Sequence, residues 1–207
     1  MTANNYSELN DMHMDVLKEI GNIGAGNAAT ALSTMLAQKV DMSVPKVRLL
    51  DFNEIAQMLG GPEVQVVGIL IDLSQDVHGM IMFILEQKFA HLVLNLLMGR
   101  QIADFSELNE MDFSAIQEIG NILSASYVNS IAELTGLDIF VSTPSVAVDM
   151  AGALLSVPAI QFAELGDKVL FIEESFLGDT ESIASHMILI PEMDSLKLIL
   201  ERLGITL

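Results

Sequence analysis

The five residues Glu19-Ile20-Gly21-Asn22-Ile23 return unchanged as Glu118-Ile119-Gly120-Asn121-Ile122, ninety-nine positions later. The same spacing holds on both sides of the pentapeptide. Glu8-Leu-Asn-Asp-Met12 aligns with Glu107-Leu-Asn-Glu-Met111, and Pro45 aligns with Pro144, without a gap. Local similarity between two helices would not bring the distant prolines into register. The chain therefore reads as a duplication of one unit of about a hundred residues, residues 8–99 and 107–204 joined by 100–106, within a single domain spanning 1–207. Later in the units Phe83-Ile-Leu85 is matched to Ile188-Leu-Ile190 and Gly99 to Gly204, an offset of 105 that implies a short insertion in the second half.

Within the first unit, Met12, Val16, Ile20, Ile23, Ala31 and Met35 keep helical spacing, which predicts one long helix over about 8–38 before Pro45. Residues 64–72 and 79–85 are rich in apolar and β-branched side chains and flank a polar turn, as an antiparallel hairpin requires. Helical periodicity returns over 86–98 and stops at Gly99. The second unit repeats the pattern with strands at 168–173 and 186–190 and a closing helix whose first turn would hold Pro191. Extended pieces near 47–50 and 146–148 add one strand each. The resulting expectation is an α/β fold of two helix-strand-strand-strand-helix units. They would be related by a pseudo-twofold axis and share one sheet, with the motif helices exposed on one face.

Composition narrows what such a fold can do. Of the 207 residues 51% are hydrophobic and 18% charged, so the chain folds around a substantial core. Nine Lys and Arg against twenty-eight Asp and Glu give a net charge of −19, which repels nucleic acid and anionic lipid. Partners should be proteins or small ligands. Apolar runs such as Leu92–Met98 are too short to cross a bilayer, and the polar segment Met1–Asp11 has no leader-like pattern. With no cysteine in the chain, the expected location is the cytoplasm.

On a helix Asp15, Glu19 and Asn22 fall within an arc of about 60°, opposite the apolar stripe, and Ser114, Glu118 and Asn121 repeat the arrangement. Beyond them the same side carries Gly26, Ala29 and Ser33, or Ala125 and Ala132. Small residues let another backbone approach closely, so the faces look made for docking. Gly21 and Gly120 lie off this stripe, where close packing against the core explains them. The run Gly24-Ala-Gly-Asn-Ala-Ala29 fits a dinucleotide-loop pattern only formally, since no strand precedes it. His13, His78, His91 and His186 show no metal-ligand spacing and read as surface or half-buried residues. The stripe lacks a nucleophile, but a carboxamide can position a water for in-line attack on phosphorus while a carboxylate grips a neighbouring cation.

Asp or Ser, then Glu four residues on, Asn three further and Pro after another twenty-three resembles the CheC/CheX/FliY family of chemotaxis phosphatases. Two complete motifs resemble the CheC branch rather than the single-motif CheX units or FliY with its added switch domain. The resemblance implies hydrolysis of the aspartyl phosphate on the response regulator CheY. Asn22 and Asn121 would orient water, and Glu19 and Glu118 would contact the regulator's lysine. Asp15, Pro45, Ser114 and Pro144 would support the motif. It further implies no cofactor of the chain's own, Mg2+ supplied by the phosphorylated regulator, and binding to the receptor deamidase CheD. For that contact the acidic turn at Asp149-Met-Ala-Gly152 is the candidate. The competing expectation is a noncatalytic adaptor that binds CheD or flagellar and chemotaxis partners. A small-molecule sensor has no readable pocket to support it.

Overall fold

The computed structural model describes residues 5–166, 168–177 and 182–206; the first four residues of the polar amino-terminal segment lie outside it. Its first half runs α1 (Asp11–Leu36), β1 (Asp41–Met42), β2 (Lys46–Asp51), α2 (Phe52–Met58), β3 (Gln65–Gln75), β4 (Gly79–Leu85) and α3 (Gln87–Met98). The second half runs α4 (Glu110–Thr135), β5 (Ile139–Val141), β6 (Ser145–Met150), α5 (Ala151–Gln161), β7 (Lys168–Leu177), β8 (Ser182–Pro191) and α6 (Met193–Arg202). Both long helices begin at an asparagine. The Asn10 side chain accepts from the His13 backbone N–H at 3.1 Å, and Asn109 does the same for Asp112 at 3.1 Å. Each helix then ends at a left-handed residue, Ala37 or Gly136.

All strands form one antiparallel sheet in the order β1-β7-β8-β4-β3-β5, with β2 also on β7 and β6 also on β3. The halves are thus interleaved, because the early strands of each pair with the hairpin of the other. One ladder row runs Val47, Ile172, Met187, Phe83, Ile69, Val146 across six strands. Cross-strand partners share a face, and α1 and α4 lie side by side over this row.

The row corrects one sequence alignment. Phe83 stands opposite Met187, its symmetry equivalent, so Ile188 points to the other face and the offset of 105 is a one-residue slip. Two further expectations change. Pro191 closes β8 opposite Gly79 rather than opening α6, and its carbonyl accepts from the buried Tyr6 hydroxyl. Each unit also holds a helix between its early strand and its hairpin. For α2 the signal was Asp51 and Glu54, which form a reciprocal capping box at 2.7 and 2.9 Å. For α5 none existed, since it is apolar nearly all round, contains Pro158 and has no side-chain cap. Among the described residues no helix is long and apolar enough to cross a membrane.

The core is symmetric in outline and asymmetric in one costly detail. Glu174 is 1% exposed on the sheet face that α1 and α4 cover, and burial pushes its carboxyl up to about 8. Its equivalent in the first half, two positions beyond Ile69 as Glu174 is beyond Ile172, is the buried Ile71. Below about pH 4.5 both the folded and unfolded chains hold this proton. As pH rises the unfolded chain releases it first. Stability from this group therefore falls by about 1.4 kcal/mol per pH unit until the folded value is passed. Glu174→Ile should remove that slope and raise stability at neutral pH, as measured by urea unfolding at a series of pH values.

Candidate functional site

Each pentapeptide divides between sheet and solvent. Ile20, Gly21, Ile119 and Gly120 are buried, whereas Glu19, Asn22, Glu118 and Asn121 are exposed. The glycines set the depth at which the helices sit. A Cβ on Gly120 would lie 2.7 Å from Ile69 and 3.3 Å from the Pro144 ring, and one on Gly21 would lie 3.4 Å from Val47 and 3.9 Å from the Pro45 ring. Pro45 and Pro144 are buried against the pentapeptides of their own halves, which explains why Asn and Pro keep one spacing.

The two copies differ in polar detail. In the first, Asp15 is exposed and pairs with Lys18 at 2.9 Å, an exposed contact worth little on its own. In the second, Ser114 is exposed and its hydroxyl donates to the Glu110 carbonyl at 2.9 Å. Asn121 Nδ2 donates to Glu118 Oε2 at 3.2 Å, so carboxylate and carboxamide form one unit. Beside Asn22 an open groove of about 520 Å³ runs past Gly26, Ala29 and Ser33, walled by Thr34, Lys39, Asp41 and Val44. Along α1 Gly26 is exposed and Ala29 and Ser33 are half-buried, and along α4 Ala125 and Ala132 are half-buried. Gly24-Ala-Gly lies inside α1 and forms no loop.

Residues 12–48 and 111–148, which contain both pentapeptides and both prolines, match the CheC-like family. A Bacillus subtilis (strain 168) protein, the CheY-P phosphatase CheC, is 34% identical over 206 residues, spanning 98% of this chain and 99% of that one. The chain belongs to the CheC-like family. The flagellar motor switch phosphatase FliY of the same organism is 34% identical over 141 residues, 67% of this chain and 36% of FliY. Among solved structures, Thermotoga maritima FliY has the same fold, with a TM-score of 0.75 at 24% identity over 95% of this chain and 98% of that one.

Sequence reasoning missed three features of this CheC-like chain. Gln117 Nε2 donates to the Pro144 carbonyl at 2.8 Å and ties the proline loop to α4; its equivalent Lys18 turns to Asp15 instead. His13 and His186 are buried rather than superficial. His13 Nδ1 accepts from the Asn10 N–H at 3.2 Å while its Nε2 meets the Thr206 carbonyl at 3.1 Å, and His186 Nε2 meets Glu86 at 3.0 Å. The His186 hydrogen bond is the first cause holding the Glu86 carboxyl below its usual range. Lastly, Asp149 is not in a turn. It is exposed in β6, paired with Val66, and α5 starts at Ala151. Among the described residues no cluster of three or more His, Asp or Glu side chains is arranged to hold a metal ion.

Proposed function

We propose that this CheC-like chain is an aspartyl-phosphate phosphatase that acts on the phosphorylated response regulator CheY in the cytoplasm. The observation that carries the reading is the pair of exposed Glu/Asn couples, the first of them at the mouth of an open groove along α1 in which another protein's backbone can lie. The curated relative that matches over nearly the full length is a phosphatase of CheY-P, which supports the same substrate here.

Docking along α1 or α4 would carry Asn22 or Asn121 toward the regulator's phosphoaspartate. A carboxamide oxygen accepts one proton of a water and fixes its lone pair on the line of the scissile P–O bond. Water oxygen bonds to phosphorus, the bond to the aspartyl oxygen breaks, and inorganic phosphate and the free carboxylate result. Glu19 and Glu118 contact the regulator's lysine and set the register of docking. Mg2+ belongs to the regulator, and the chain's own residues supply orientation alone. Binding and regulation of CheD forms the second part of the proposal. Exposed Asp149 and Met150 lead into α5, which leaves Val157 and Ile160 exposed, and exposed apolar side chains of this kind suit a protein partner. A CheD titration showing no binding would remove that part alone.

The decisive experiment follows the decay of phosphorylated CheY. The Asn22→Ala/Asn121→Ala double variant should fold, because both side chains are exposed, and should lose about 100-fold of the acceleration. Full activity in that variant would overturn the assignment.

A further inference from the structure

We infer that Met12 and Met111 are the docking anchors of the two sites, each meeting an apolar patch on the phosphorylated regulator about 15 Å from the asparagine that orients water. The inference rests on the phosphatase reading above. Duplication makes the chain its own control, because α1 and α4 are two copies of one helix and an exposed position with no task is free to differ between them. Seven positions are exposed in both helices. Four differ: Asp11 is matched by Glu110, Asp15 by Ser114, Thr30 by Asn129 and Thr34 by Glu133. Three are identical, and two of these are the Glu19/Glu118 and Asn22/Asn121 positions. The third is Met12 with Met111.

A single methionine on a solvated helix face is ordinary. Here it recurs, 64% exposed in one copy and 67% in the other, and neither side chain belongs to the core. It also stands on the motif stripe. At 100° per residue Met12 lies on the Glu19 side of Asp15, so Met12, Glu19 and Asn22 fit within an arc of about 80°, and Met111, Glu118 and Asn121 do the same. The methionine precedes the asparagine by ten residues, or about 15 Å of helix axis. At the first site the groove past Gly26, Ala29 and Ser33 continues the line beyond Asn22. A regulator laid along the helix with its phosphoaspartate at the asparagine therefore covers the methionine at the amino-terminal end. Covering an unbranched thioether stabilises the complex through apolar burial, and its flexibility suits an irregular surface. Such a contact is made equally in the bound and transition states, so it acts on binding alone.

The test measures KM and kcat for phosphorylated CheY in the single-site proteins Asn121→Ala, which keeps the first site, and Asn22→Ala, which keeps the second. Adding Met12→Ala to the former, or Met111→Ala to the latter, should raise KM about threefold to tenfold with kcat unchanged. Alanine is the better helix former and both positions are exposed, so the fold is kept. Met12→Leu and Met111→Leu should hold the original KM, since leucine offers a similar apolar area. A KM unmoved by alanine, a loss confined to kcat, or a KM that rises equally with leucine overturns the inference while leaving the phosphatase reading intact. Loss of that reading shows itself separately, as full activity in the double asparagine variant.

Discussion

Arg100→Ala should lower stability by about 3–5 kcal/mol and loosen the start of α4. The Asp112 side chain is fully buried at the third position of that helix, where Oδ2 accepts the Asn109 backbone N–H at 2.9 Å. Its charge is answered by the Arg100 guanidinium, which also donates to the Glu107 carbonyl at 2.6 Å. Removing the guanidinium leaves a buried carboxylate without its counter-charge, and that costs far more than the contact itself would suggest. The first half fills the same position without an ion pair. There the third position is His13, held by Asn10 and the Thr206 carbonyl, and no cation is needed. Asp112→Asn should therefore recover most of what Arg100→Ala loses. Urea unfolding of the two singles and the double measures this directly, and a loss below about 1 kcal/mol for Arg100→Ala would refute it.

Gly24→Leu is expected to be destabilising for a different reason. A Cβ at Gly24 would stand 2.4 Å from Tyr127 Cδ1 and 2.7 Å from Cε1, closer than any real contact. Tyr127 cannot swing aside, because its ring is buried between α1 and the sheet and leans on Phe83 with centroids 6.3 Å apart. Overpacking of this kind costs about 1–3 kcal/mol, occasionally more, and outweighs the roughly 1 kcal/mol that replacing a mid-helix glycine returns. The equivalent positions are Leu123 and Ala28, both buried, so where one half places glycine against tyrosine the other places leucine against alanine. Gly24→Leu/Tyr127→Ala should consequently be much less destabilised than the sum of its singles, and the Tyr127 hydroxyl, which has no hydrogen-bond partner, is lost at little cost. Strict additivity in thermal or urea unfolding would show that the two side chains do not meet.

Residues that sit on one helix and answer to one periodicity were legible early. Asp15, Glu19 and Asn22 share a side because they are four and three residues apart, and that follows from helix geometry alone. The same holds for Ser114, Glu118 and Asn121, for the small residues beyond them, and for the helix stop at Gly99, which does adopt a left-handed conformation. Asp51 and Glu54 carry an equally local signal for α2, a capping box three residues apart. The one-residue slip between Phe83 and Ile188 arose because both strands are apolar on both faces. Alternation then gives no register, and only pairing supplies it.

By itself the sequence determined the duplication, the two exposed Glu/Asn couples and the buried side of each motif helix, because repetition and helical spacing are properties of a single segment. Only the tertiary structure decided which segments meet. The interleaved strands place Val47 of one half and Ile172 of the other beneath the same glycine, and Ile69 of the first half beneath Gly120 of the second. Tyr127 fills the space left by Gly24, and Arg100 neutralises Asp112 twelve residues away. Periodicity states that a face is buried. It carries no information about the surface that buries it, and that choice is made by complementary volume and charge between parts of the chain distant in sequence.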